Sequence, residues 1–238
     1  MTNANDPASI LFGRDVNPFN TTWEDWSIAW WNWLMGIGKA DSPANDATGA
    51  NHNRNQTNQS VFFLAGVTTP FPFKADKGKA TRGSTDNPLP VQRTKAILFP
   101  LINDMETLIE KPALGSAGLP GAASDDTDRM VSLQATFDAG TDEEIALLTG
   151  YLSTYRVGTR NRPNLPQAQT ATFPLSIIGG DLFDLNPGPA LVITTAAADG
   201  YYIFIKDNVW QQGSRHTIHF RALEDDYSTE VTYYLKMT

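Results

Sequence analysis

The chain carries three histidines, His52, His216 and His219, and no cysteine. The missing thiol excludes disulfides, thiolate metal sites and a cysteine nucleophile. In the stretch RHTIHF, alternation puts His216, Ile218 and Phe220 on one face and Thr217, His219 and Arg221 on the other. The two histidines therefore cannot chelate one metal within a regular strand. His216 shares the apolar face and is expected to be the more buried. His52 lies in a polar stretch and reads as solvated. Catalytic candidates are His216 and His219, with Arg156 and Tyr155 as partners. Gly-x-Ser-x-Gly, Ser-x-x-Lys and His-Glu-x-x-His are all absent. A serine triad assembled from distant residues stays open, because triads are recognised by geometry.

Carboxylates are plentiful, among them Asp104, Glu106, Asp181, Asp184, Asp199 and Asp207. A pair about 5–10 Å apart would serve as glycosidase acid and base. Asp41 with Asp46, and Asp125, Asp126 and Asp128, form oxygen-rich stretches suited to Ca²⁺, without EF-hand spacing. The cofactor expectation is thus none, or Ca²⁺. Dinucleotide and phosphate-loop patterns are absent. Arg156, Arg160 and Arg162 cluster and pair with acids or bind an anion.

Aromatic residues are the most unusual feature. Five of the six Trp lie between positions 23 and 33. Trp23, Trp26, Trp30 and Trp33 share one helical stripe with Leu34, whereas Trp31 sits at its border near Glu24. Trp31 is therefore a candidate platform for a sugar ring or a partner. Trp210, flanked by Asn208, Gln211 and Gln212, is a second, with Tyr201 and Tyr202 nearby in sequence. An apolar ring face beside amides is the combination carbohydrate-binding loops use.

These residues need elements to hold them. Residues 1–20 read as an irregular lead-in and 21–36 as the Trp-rich helix, with Thr21 and Glu24 in capping-box spacing. Residues 39–60 form a long polar loop, and a second follows at 70–90. Strands are expected at 61–67, at 94–102 with Pro100 at an edge, bulge or strand end, and at 130–138. Residues 112–128, rich in Gly, Ala, Ser and Pro, read as loop. Thr141 and Glu144 suggest a second capping box and a short helix. Beyond 170, strands are expected at about 171–178, 190–195, 200–206, 215–222 and 229–236. The 200–206 and 215–222 strands are expected to pair as a hairpin. The fold expectation is one mainly β domain over 1–238: an antiparallel β-sandwich or jelly roll occupying 60–238, with an N-terminal Trp-rich helix and long loops.

A net charge of −8 argues against binding nucleic-acid phosphates. No apolar run reaches the roughly 20 residues of a membrane-spanning helix, so membrane insertion is not expected. The first fifteen residues show neither the basic nor the apolar region of a signal peptide. This fits a cytosolic protein or a mature secreted form with a new start Met.

The ordered segments WEDWSIAWWNWLMGI (23–37), NDATG (45–49), SVFFLAGV (60–67), TKAILFPLIND (94–104), TYRVGT (154–159), DGYYIFI (199–205), GSRHTIHF (213–220) and STEVTYYLKM (228–237) span nearly the whole chain. In this order they resemble a family of mostly secreted bacterial hypothetical proteins. The resemblance implies a secreted or cell-surface location and a β-rich C-terminal half, and brings no reaction with it. Members often carry cysteines near the first long loop and before the TKAILFP-like strand; this chain has none.

The expected function is a non-catalytic extracellular module that binds a glycan or surface component through aromatic loops, or assembles with copies of itself. One alternative is a hydrolase or lyase acting on a polysaccharide. Another is a structural, self-assembling β-sandwich subunit.

Overall fold

The computed structural model describes residues 6–56, 60–67, 78–159, 171–224 and 228–238. Its helices are α1 (Pro7–Ile10), α2 (Trp23–Met35), α3 (Gly115–Thr127) and α4 (Thr149–Leu152). Its strands are β1 (Val61–Phe63), β2 (Gly78–Arg82), β3 (Leu89–Val91), β4 (Ala96–Thr107), β5 (Met130–Phe137), β6 (Ile145–Leu148), β7 (Arg156–Gly158), β8 (Phe173–Ile177), β9 (Val192–Ile205), β10 (Arg215–Glu224) and β11 (Ser228–Met237).

The protein is mainly β, in two mixed sheets. One runs β1-β4-β9-β7, with β8 also on β9; the other runs β2-β11-β10-β5-β6, with β3 also on β11. Pairing is not uniformly antiparallel as expected, because β1 joins β4, and β2 and β3 join β11, in parallel. The expected hairpin of 200–206 with 215–222 does not form. β9 pairs with β4 in the first sheet, and β10 pairs with β11 and β5 in the second. Alternation marks a strand's faces but not its neighbour. The sheets meet where Phe99 packs on Phe220, with ring centroids 5.0 Å apart.

Helix α2 begins one residue later than expected. Thr22, not Thr21, accepts the Asp25 N–H at 3.1 Å, while Glu24 pairs with Arg14. Its apolar stripe lies on the first sheet: Trp23 and Trp26 meet the Phe204 ring edge-on, and Trp30 meets Tyr202. A buried indole needs a partner for its N–H. Trp23, Trp26, Trp30 and Trp33 donate to the carbonyls of Val16, Pro18, Leu64 and Arg54 at 2.8–3.0 Å. Each ring is thus both packed and pinned: Trp23 and Trp26 to the segment before α2, Trp30 to Leu64 and Trp33 to Arg54.

Two further expectations fail locally. Residues 112–128 are not a loop: Gly115–Thr127 is helix α3, despite Pro120 and a weak intrinsic preference. Small residues let α3 lie close on β4 and β9, burying Leu119 and Ala123. Nor does Glu144 complete a capping box. Its carboxylate accepts the Gly140 N–H, residues 145–148 form strand β6, and α4 is a single turn.

Trp30 is 2% exposed and hydrogen-bonded to Leu64. Trp30→Ala should destabilise the fold by about 3–5 kcal/mol, read as a lower denaturation midpoint. An unchanged midpoint would show that the stripe carries no packing energy.

Candidate functional site

The ladder between β4 and β9 contains a bulge between Pro100 and Ile102. Beyond it Asp104 faces Asp199 directly, and the same face carries Ile102, Glu106 and Tyr201. Facing side chains have Cβ atoms about 4.5–5.5 Å apart, so two carboxyl groups are forced together. Gly200 makes this approach possible. A Cβ there would lie 2.5 Å from the Cβ of Asn103 and 2.6 Å from its Cα. Gly158 leaves room for the Asp199 carboxylate, whose Oδ2 would be 2.6 Å from an added Cβ.

One cation serves this pair unequally. Arg156, on β7, donates through Nε to Asp199 Oδ1 at 2.9 Å and through Nη2 to Oδ2 at 3.2 Å. It also binds Asp128 and the Ser124 hydroxyl and carbonyl at the end of α3. Alongside, Lys111 contacts Glu106 and lies 3.8 Å from Asp126, which Arg129 holds at 2.8 Å. Among the described residues no cation pairs directly with Asp104, which feels Arg129 only through space, and its buried Oδ2 has no hydrogen-bond partner.

Burial, with the nearby Asp126 and Asp199 carboxylates and against Arg129, raises the Asp104 pKa from 3.8 to about 7. Burial also raises Glu106 from 4.5 to about 7; Lys111 opposes this and Asp126 adds to it.

Asp104 lines a cavity of about 270 Å³. Strand β1 accompanies β4 only as far as Leu98, and residues 100–105 line the cavity. Trp30 and Trp31 of α2 and Phe183 form an aromatic wall, with the Trp31 and Phe183 rings 6.4 Å apart. Phe183 is held there by Asp181, a fully buried carboxylate that accepts the N–H groups of Phe183, Leu185 and Asn186. Thr229, whose buried Oγ1 also has no partner among the described residues, lines the cavity too. No protein-family model, curated protein or solved structure matches this chain.

The structure distributes the sequence candidates over several places. Trp31 is in the cavity wall, although only 4% exposed. Arg156 and Tyr201 belong to the carboxylate face, with the guanidinium 5.9 Å from the Tyr201 ring centre. Tyr155, adjacent to Arg156 in sequence, is turned towards α2: its ring packs on Trp23 and its hydroxyl meets Phe12 O and the Tyr151 hydroxyl. His216 lies on the other sheet with Asp138, Ser214 and Trp210 as partners. The imagined set of His216, Arg156 and Tyr155 is thus not assembled. His216 is the more buried histidine, as its shared face with Ile218 implies, while His219 reaches Glu230. His52 is buried rather than solvated, bonded to Gly49 O and Pro90 O.

Trp210 does not offer an open face, because it stacks flat on His216 at 4.2 Å. Asn208 is tied to Arg93 and Asp207, and the Gln211 carbonyl to Ser214. Tyr201, in the first sheet, does not join them. Arg160 and Arg162 lie outside the described residues.

The metal candidates are likewise scattered. Asp41 pairs with Arg54. Asp46 accepts from Thr48 and Asn51; burial opposes its charge, but these donors outweigh it and lower its pKa. Asp125 and Asp126 are on α3 rather than in a loop, and Asp128 caps it. Among the described residues no group of three or more acidic or histidine side chains is arranged to hold an ion.

Asp104 and Glu106 hold protons more tightly in the folded chain than in the unfolded one. Their contribution to stability is complete at low pH and is lost as pH rises from about 4 through 7. The melting temperature should fall across this window, and Asp104→Asn should flatten the fall. An identical pH slope in wild type and variant would contradict the assignment.

Proposed function

We propose that this chain is a binding module whose cavity takes a small, uncharged, ring-shaped ligand, such as one residue of a glycan. One observation carries the reading: the Trp31–Phe183 wall and Asp104, a carboxyl with an elevated pKa, line the same cavity. Aromatic faces favour the apolar face of a sugar ring, and a carboxylic acid both donates to and accepts from hydroxyls. Asn103, whose amide already donates to the Tyr202 hydroxyl at 3.0 Å, and Thr229 add polar edges. Glu110 and Glu224 also line the cavity, against the single cation Arg129 among its described lining residues, so an anionic ligand fits poorly.

On this reading the two sheets act as a sandwich-like scaffold, and the work is done outside the cell or at its surface, as the family resemblance implies. Self-association is compatible with it. The hydrolase alternative draws less support. It needs two carboxyl groups set about 5–10 Å apart across the scissile bond, and Asp199, the one that directly faces Asp104, is engaged by Arg156.

A glycan array, followed by titration of the best neutral sugar against tryptophan fluorescence, tests this reading. Trp31→Phe and Asp104→Asn should each weaken binding by about tenfold or more, as expected when one contact worth 1–2 kcal/mol is lost. Affinity unchanged in both variants would remove the cavity from the function.

A further inference from the structure

At the start of β10 a different group of side chains converges. His216 Nδ1 lies 2.7 Å from Asp138 Oδ2, and His216 Nε2 lies 2.7 Å from Ser214 Oγ. Serine hydroxyl, imidazole and carboxylate are thus linked in series. The carboxylate is itself oriented, because Asp138 Oδ1 accepts the Thr217 N–H at 2.8 Å. Asp138 holds a left-handed backbone with φ of 51°, an uncommon state for a residue with a side chain, and this aims its carboxylate at the ring. Trp210 stacks on the imidazole with an interplanar angle of 11° and covers one face. Ring position and tautomer are therefore both constrained: Nδ1 donates to Asp138 and Nε2 faces Ser214.

We propose that Ser214 is an activated nucleophile that His216 serves as general base and Asp138 orients, acting on small esters. Ser214 sits in the turn 211–214, where Gln211, Gln212 and Gly213 are exposed, so a substrate can approach from outside. Its hydroxyl has one proton and two acceptors in reach, His216 Nε2 at 2.7 Å and the Gln211 carbonyl at 2.6 Å. With the proton on the His216 side the oxygen is ready to attack. Directed at Gln211 it is idle.

In the acylation step Oγ bonds to the ester carbon while its proton passes to Nε2. The bond to the alkoxy group then breaks, and the alcohol leaves with that proton. Water next attacks the acyl carbon, giving a proton to Nε2. The acid departs, and Oγ recovers the proton. A second cavity of about 270 Å³ reaches the group through Asp138 and Trp210, and Ser9, Ile10, Phe137, Glu143, Ile145 and Val209 complete its lining. Its apolar members Ile10, Phe137, Ile145 and Val209 would pack on the hydrocarbon part of a short acyl group. None of these side chains belongs to the cavity at Asp104, so this activity is independent of the glycan reading.

Diisopropyl fluorophosphate supplies a direct test, because Oγ displaces fluoride from phosphorus and remains covalently marked. Intact-mass spectrometry of the full chain at pH 8 should show one adduct, and peptide mapping should place it on Ser214. Ser214→Ala should abolish it. Asp138→Asn and His216→Gln should slow it by at least about 100-fold, the usual contribution of a positioned base. Should His216→Gln fail to fold, the wild type, Ser214→Ala and Asp138→Asn still decide the matter. Absence of a Ser214 adduct in wild type, or an undiminished rate in a folded Asp138→Asn or His216→Gln variant, overturns the proposal.

Discussion

Two carboxyl groups that face each other across β4 and β9 cannot both be satisfied by one guanidinium. Arg156 grips both oxygens of Asp199, while Asp104 is paired with no cation among the described residues and feels Arg129 only through space. Around this inequality the neighbouring structure is arranged. Gly158 and Gly200 supply the space, the bulge at Pro100 resets the register, and α3 brings Ser124 and Asp128 to the far side of Arg156. Like charges directly opposite destabilise a sheet. Burial above all, then the Asp126 carboxylate and, less, Asp199, favour a proton on Asp104, which makes its state depend on pH.

The opposite face of the same ladder does different work. There Tyr202 and Phe204 receive the rings of α2, and four indole N–H groups fasten those rings to carbonyls spread from Val16 to Leu64. A helix held at so many points gives the cavity a rigid wall. Arg82 adds a second brace. Only 1% exposed, it donates to the carbonyls of Asp46, Ala65 and Gly66 and contacts the Tyr233 hydroxyl, tying the second sheet to the backbone beside the cavity. Aromatic wall and Asp104 therefore meet at one border strand, the combination the proposed mixed apolar and polar ligand would need.

Part of this was legible in the residues alone. Period 3.6 revealed the Trp helix, period 2 revealed β10 and the burial of His216, and Pro100 pointed to an edge, a bulge or a strand end, of which the bulge is the one formed. Strand partners were not legible, since β4 meets β9 across about ninety intervening positions and nothing local encodes that pairing. Helix α3 was hidden because its small residues have weak helix preference and are held by packing instead. Asp104 was one carboxylate among many. A signal did exist: Asp104 and Glu106 continue one face of the apolar run AILFPLI, and Asp199 interrupts AAADGYYIFI. Charged residues inside apolar strands need partners. The Ser214–His216 spacing is equally visible, but Asp138 comes from a distant strand end and only the fold supplies it.

The central claim is that Asp104 carries its proton near neutrality, where an ordinary aspartic acid has lost it. Carbon-13 NMR of the Asp side-chain carboxyls, assigned by comparison with Asp104→Asn and followed from pH 3 to 9, measures this directly. The account predicts that the resonance missing from the variant titrates near 7. A midpoint near 4 for that resonance would contradict it.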